Sequence, residues 1–474
     1  MLTRLRGLVD RFLPRGALIL SVLSIGYIVA GLVRNRVLAS TFGAGPELDA
    51  YNAAFRIPEI AINILVGAGL SAPFVPIYTR LLLDGEADPV RRDRIAARAE
   101  AFAQTVLTGA VAAILVALVL LFVAAGWIGE TVWSGFDAPS RALYADLLRI
   151  NCLALLMFAA SMVVGEILVA HRRFLSYGLA QILYTVGITI GAYVLGPRLG
   201  VAGAAWGAVA GAALHLAART IGVVRTGFRI RPRLAIRTSE FGEFIRLMLP
   251  RMLSYPIDPV MTTYLTILAV GVGPGTASAL SFVLDYQFAP VQVIAISFSL
   301  AAFPVLSAAW AEGDGPGFRR VFVRNVAAIA GLTSLAGLAA AVLARPLVER
   351  LLGGGRFDAD AVTLTAGLLV AFAVTIPIDS LSYPLSRALY ATHNTIWQVA
   401  GSLLGLGALV LSAQAFVPAL GAAGIAAAYA TGGLVKLVVL AAALAPRLRA
   451  LGLTRPVSPE PAGVSPAGSS GSRR

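Results

Sequence analysis

The chain has 474 residues, a formal net charge of +14, 58% hydrophobic residues and only 13% charged ones. A soluble domain carries about 25% charged residues. The low charge, a mean hydropathy of +0.82 and 48 glycines exclude a soluble α/β core and point to an all-α polytopic membrane protein. The single cysteine, Cys152, excludes an internal disulfide, and His171, His215 and His393 do not cluster at ligand spacing. No metal site, cofactor or catalytic constellation is expected.

Apolar windows long enough to cross about 30 Å of hydrocarbon fall near 17–39, 53–79, 99–127, 142–169, 174–196, 199–222, 240–270, 276–308, 322–348, 360–390, 394–416 and 419–445. These give about twelve expected spans. Arg4, Arg6 and Arg11 precede the first, but no small-residue cleavage site follows, so it reads as a spanning helix rather than a leader.

Arginine placement sets the orientation. Arg15 lies before the first span, Arg80, Arg91, Arg92 and Arg94 follow the second, and Arg172 and Arg173 follow the fourth. Arg225, Arg229, Arg231, Arg233 and Arg237 follow the sixth, Arg319, Arg320 and Arg324 the eighth, and Arg447 and Arg449 the last. The connections 40–50, 128–141 and 271–275 have almost none. Both termini are therefore expected in the cytoplasm. The basic residues are dispersed at membrane boundaries without interleaved aromatics, which fits contact with phospholipid headgroups and excludes a nucleic-acid partner. The Pro-, Gly- and Ser-rich stretch within 451–474 is expected to be a disordered tail.

The halves resemble one another. Residues 171–216 and 392–437 share helix lengths and an LGxAG step in which Leu199 pairs with Leu420 and Gly200 with Gly421. Residues 71–88 and 299–315 both run from a Phe- and Pro-rich span end into an acidic loop. Two six-helix lobes, 1–225 and 226–450, related by an axis along the membrane normal, follow from this pattern. A cleft between them would open alternately to each side.

Charges inside the spans are costly and turn inward or snorkel. They are Arg34, Arg36, Arg56, Glu59, Glu166, Asp258, Asp285, Asp379 and Arg387. Arg56 and Glu59 at i,i+3 can pair on one helix face; they read either as a salt bridge closing the outer entrance of span two or as a cleft arginine meeting an anion. Arg34 either snorkels or faces the cleft. Proline-flanked Asp258 and Asp379 suit an ion site or a hinge.

The run "GLVRNRVLASTFGAGPELDAYNAAFRIPEIAINILVGAGLSAPFVPIY" closely resembles the first helical pair of the MurJ/MviN family of bacterial lipid II flippases. That family belongs to the multidrug/oligosaccharidyl-lipid/polysaccharide exporter superfamily. The matching features are Arg34 after Gly31, the Phe42-Gly43-Ala44-Gly45 turn, Asp49-Ala50, Phe55-Arg56-Ile57-Pro58, and Ser71-Ala72 before Phe74-Val75-Pro76. Tyr286-Gln287-Phe288 and Ala301-Ala302-Phe303-Pro304 are similar to the family's second-half element.

The resemblance implies a V-shaped, two-lobe, MATE-like transporter in the bacterial cytoplasmic membrane. It would move undecaprenyl-diphosphate-linked peptidoglycan precursor by alternating access, with cell-wall synthesis proteins as candidate partners. The substrate-binding set it implies is Arg34, Asp49, Arg56, Glu59 and Asp285, with Arg251 and Arg387 as compensating cations. The chain departs from the family pattern at Tyr27 and Ile28, at Ile62 and Asn63, at Gly67-Ala68, and at Asp285, where the family carries an arginine. It also shows twelve windows where members commonly have fourteen spans. An exporter of another lipid-linked glycan or amphiphile, and a non-transporting envelope scaffold, are the alternatives.

Overall fold

The computed structural model describes residues 15–64, 70–87, 92–252 and 257–453, and these are helical almost throughout. The expected tail from 454 onward, Gly67-Ala68 and the first fourteen residues lie outside the described set. The first half contains α1 (Arg15–Phe42), α2 (Pro46–Ile62), α3 (Ser71–Ala87), α4 (Arg92–Thr131), α5 (Ala138–Ala170), α6 (Phe174–Ile190) and α7 (Val201–Val224). The second contains α8 (Ser239–Met252), α9 (Ile257–Val272), α10 (Thr276–Pro290), α11 (Ser297–Ala311), α12 (Gly315–Val342), α13 (Ala344–Leu351), α14 (Ala359–Ala373), α15 (Thr375–Ala391), α16 (Ile396–Leu420) and α17 (Ala422–Leu453).

Among the described residues nine helices are long and apolar enough to cross a membrane. A tenth forms if α14 and α15, bent by 42°, count as one span. The count of twelve from sequence is higher because windows 53–79 and 240–270 run across residues outside the described set, 65–69 and 253–256, which leaves the flanking stretches α2, α3, α8 and α9 each under 18 residues. The bend falls at Val374, so Pro377 occupies the first turn of α15, where its missing N–H costs nothing. Pro384 lies inside that helix without ending it.

Lipid offers no hydrophobic gain for pressing one apolar helix on another, so small residues set the close contacts. Gly187 and Gly191 on the α6 rod meet Gly207 and Gly211 on α7 backbone to backbone. Gly405 on α16 and Gly432 on α17 do the same in the second half.

The internal repeat has conformational signatures. Gly200, between α6 and α7, has φ 59° and ψ −147°; Gly421, between α16 and α17, has φ 57° and ψ −130°. Among the described residues, the non-glycine ones with positive φ are Arg172 (56°) and His393 (57°), at matching places one helix earlier. Before α5, Asp137 accepts a hydrogen bond from the Ser140 backbone N–H at 3.0 Å; before α14, Asp358 accepts one from that of Ala361 at 2.8 Å. Phe136 and Phe357, which precede these caps, are both buried.

The halves touch at both ends. At the arginine-poor end, the turn at Gly135 packs on Val270 and Gly271, and the turn at Gly353–Phe357 packs on Ser40–Gly43. There the Arg356 N–H donates to the Ser40 carbonyl at 2.8 Å, Arg36 donates to the Gly353 carbonyl, and Arg356 lies 3.6 Å from Glu47. At the basic end, α8 packs on α3 and α4. Its Glu243 pairs with Arg80 at 2.6 Å, and its Glu240 pairs with Arg98.

Candidate substrate cleft

Three helices carry Arg34, Arg56 and Asp285 at similar distances from their ends. Arg34 lies eight residues before the end of α1, Arg56 ten residues into α2, and Asp285 nine residues into α10. At 1.5 Å per residue each lies about 12–15 Å along its helix from the arginine-poor end. The expectation that Arg56 and Glu59 mark the entrance of span two is corrected here. Helix α2 starts at Pro46, whose fixed φ and absent N–H suit a first turn, so the pair lies well inside.

Arg34 does not snorkel. Its Nη2 donates to Asp285 Oδ2 at 3.2 Å, across the two halves, and Nε and Nη2 both donate to Asn35 Oδ1 at 3.1 and 2.9 Å. The Asn35 amide donates to the same Asp285 oxygen at 2.9 Å. One carboxylate thus joins two neighbouring residues of α1 to α10. The Asp285 side chain is 50% exposed and that of Arg34 26%, so the junction is open rather than enclosed in the packed core. The Tyr286 hydroxyl beside it is buried and has no hydrogen-bond partner among the described residues.

Arg56 is less saturated. Its Nη1 lies 3.7 Å from Glu59 Oε2, a salt bridge too long for a hydrogen bond, and its Nε is buried without a partner among the described residues. Tyr184 of α6 lies within electrostatic range of both Arg34 and Glu59, linking the two charge pairs.

A second polar cluster lies on the other face of α10. Gln287 donates to Asp379 Oδ2 at 2.5 Å and the Tyr429 hydroxyl donates to the same oxygen at 2.9 Å. Asp258, at the start of α9, and Lys436 of α17 lie within electrostatic range of Asp379. Arg387, two turns beyond Asp379 on α15, stacks on Phe303 (5.6 Å) and Tyr390 (5.9 Å). It therefore stands apart from the Arg34 junction. Arg251 is in the last turn of α8, and its side chain lies outside the described residues.

Asp49 is placed differently from the rest of the expected binding set. It is 1% exposed, and its carboxylate accepts from the backbone N–H groups of Gly275 and Ser278, both at 2.6 Å, and from the Ser278 hydroxyl. It caps α10 from the opposite half, and its oxygens are occupied by that task.

Sequence reasoning passed over Asn35, Gln287, Tyr429 and Arg219. The first three are neutral and carry no signal in a charge scan. Arg219 of α7 is buried, donating to the Ser161 and Tyr177 carbonyls at 3.0 and 3.3 Å and stacking over the Tyr177 ring at 4.5 Å.

A family profile described as "Lipid II flippase MurJ" matches residues 38–456. The chain belongs to the lipid II flippase MurJ family. Arg34 and Asn35 lie just before the matched stretch. The lipid II flippase MurJ of Burkholderia cenocepacia is 24% identical over 423 residues, 87% of this chain and 80% of that protein. A probable lipid II flippase MurJ of Thermotoga maritima is 26% identical over 367 residues, covering 77% of this chain and 72% of the relative. In fold, the chain is similar to a solved lipid II flippase MurJ in an inward closed conformation, with TM-score 0.76, 18% identity and coverage of 92% and 90%. An inward-facing multidrug resistance MATE family transporter of the MOP superfamily aligns with TM-score 0.73 at 16% identity, covering 90% of this chain and 96% of that one. The polytopic all-α architecture of this MurJ-family chain is therefore shared with solved MurJ and MATE structures.

Proposed function

We propose that the chain flips undecaprenyl-diphosphate-linked peptidoglycan precursor, lipid II, across the bacterial cytoplasmic membrane by alternating access. The observation that carries this reading is the cross-half junction of Arg34, Asn35 and Asp285, beside an Arg56 with an unfilled donor. A guanidinium fork is suited to a diphosphate. The substrate anion competes with Asp285 for Arg34, and Arg56 supplies a second cation. The undecaprenyl tail stays in the bilayer while the sugar-peptide head crosses.

In this reading the halves 1–225 and 226–450 are two six-helix lobes forming a V, with about twelve crossings when α2–α3 and α8–α9 each count as one. The basic end faces the cytoplasm, and both termini lie there. Asp258 and Asp379 form the coupling or hinge site; Arg251 and Arg387 add cations toward the basic end. Cell-wall synthesis proteins are the partners that such an activity serves.

The test is transport of labelled lipid II in vesicles containing the full chain, with complementation of a strain depleted of its own flippase. Transport by the wild type, lost in both Arg34→Ala and Arg56→Ala, supports the assignment. No transport by the wild type sinks the flippase reading, and transport unchanged in both variants sinks the site. The carboxylate beside Arg34 favours one second reading, export of another lipid-linked glycan with a less anionic head. Competition by monophosphate-linked lipids in the same vesicles separates the two.

A further inference from the structure

The connection between the halves, 225–238, is not a slack loop. Phe228 is buried, and from Arg229 onward the chain runs extended along α4. The Arg229 N–H donates to Glu100 Oε1 at 3.0 Å, and the Gln104 amide donates to the Arg229 carbonyl at 2.6 Å. The Arg233 N–H donates to Thr108 Oγ1 at 3.0 Å, and that of Ala235 donates to Thr105 Oγ1 at 3.1 Å. The segment therefore climbs α4 from Glu100 to Thr108 and turns back by Thr105, with Pro232–Leu234 at its apex.

The level of that apex follows from α4. Trp127, 66% exposed near the arginine-poor end of this helix, suits the aromatic belt of one interface. From residue 127 back to 108 is about 29 Å of helix, one hydrocarbon thickness. The apex thus lies at the other interface. Leu234 and Ile236 are 64% and 59% exposed there, and Ile230 is 38% exposed. The side chains of Arg229, Arg231, Arg233 and Arg237 are exposed, with no ion pair or hydrogen bond of their own among the described residues. The nearby acids are already engaged: Glu100 with the Arg229 backbone, Glu240 with Arg98, and Glu243 with Arg80.

We propose that the 229–237 strap is a docking site for anionic phospholipid headgroups of the cytoplasmic leaflet. Four unpaired guanidiniums meet lipid phosphates while Leu234, Ile236 and Ile230 enter the acyl boundary. Alternating cationic and apolar side chains on a backbone fixed at the interface is the arrangement such lipids require. Because the strap joins α7 to α8, a docked lipid also pins the connection across which the halves move. The assignment rests on the cytoplasmic placement of the basic end given above.

The experiment uses the full chain in detergent, titrated with phosphatidylglycerol or phosphatidylcholine, counting retained lipid by native mass spectrometry. The wild type is expected to retain phosphatidylglycerol preferentially. R229Q/R231Q/R233Q/R237Q is expected to lose that preference by about tenfold or more, since each basic residue near an anionic surface contributes appreciably; the fourfold Arg→Lys variant retains it, and Leu234→Asn weakens it. An unchanged preference in the glutamine variant overturns the proposal, as does displacement of the lipid by inorganic phosphate alone. Binding of an acidic peptide in place of phosphatidylglycerol overturns it as well. Labelling of Ala235→Cys by an impermeant maleimide from the periplasmic side would instead remove the sidedness on which the strap's leaflet depends.

Discussion

Arg34 shows how one side chain joins two functions. Its guanidinium is shared between Asn35 and Asp285, so in the proposed function an incoming phosphate would replace a carboxylate already in place. Arg34→Ala is expected to reduce lipid II transport by about tenfold or more, the equivalent of one charge-assisted hydrogen bond of about 1.5–3 kcal/mol. Asp285→Asn frees Arg34 while keeping the shape of the side chain. Affinity for the diphosphate head, measured by binding to the purified chain, is expected to rise in that variant. His171, in the turn after α5, sets a different property. Its Nε2 lies 3.2 Å from the Tyr78 hydroxyl, and burial, with Arg173 beside it, holds the imidazole below its ordinary value. The unfolded chain therefore binds this proton more readily than the folded one. The stabilisation is complete above about pH 6.5 and is lost as pH falls through the folded-state value. Thermal midpoints in detergent measured from pH 8 to 5 should fall on the acid side, and His171→Asn should flatten that fall.

Helix pairing rests on backbone contact at small residues. On α6 and α7 a Cβ at Gly207 would meet the Gly187 carbonyl and the Gly191 Cα. Gly207→Val is expected to force the pair apart and cost more than about 3 kcal/mol, beyond ordinary overpacking, because neither backbone can yield within a helix. Loss of monodisperse protein in detergent, with Gly109→Val as the control, is the measurement. Gly109 has open space around it, so its variant should remain folded. The positive φ at Gly200 and Gly421 explains the shared LGxAG step: a chain that must reverse between two long helices at φ near 58° favours glycine.

The whole molecule is held closed at the arginine-poor end by an arrangement in which each half's turn docks on the other, with Asp49 capping α10 between them. Asp49→Ala leaves the Gly275 and Ser278 N–H groups without their carboxylate. Loss of a cap of this kind costs about 1–3 kcal/mol, enough to shift a two-state equilibrium by about 5- to 150-fold. Distances between spin labels at the Gly135 and Gly355 turns should broaden toward an open state in this variant. At the basic end the Arg80–Glu243 pair is solvent-exposed and weaker, whereas Glu240 of the Arg98 pair is buried. The two ends therefore differ in how tightly they close.

Much of this was legible from residues alone, because a bilayer demands long apolar helices and tolerates charge only where it serves a purpose. Composition identified a polytopic membrane protein, and the run around Arg34 and Arg56 its family. Helix starts were less visible: a window of mean hydropathy cannot show that α2 starts at Pro46, so Arg56 was read at an entrance rather than ten residues into a helix. Asn35, Gln287 and Tyr429 carry no charge and became visible only when α10 was found between α1 and α15. Asp49, read as a binding residue, turned out to cap a helix 226 residues away. Local pattern determines what each helix is, since the solvent acts on every residue along it. Which oxygen meets which nitrogen is decided only when helices distant in sequence pack, because hydrogen bonds are specified by distance and direction in space.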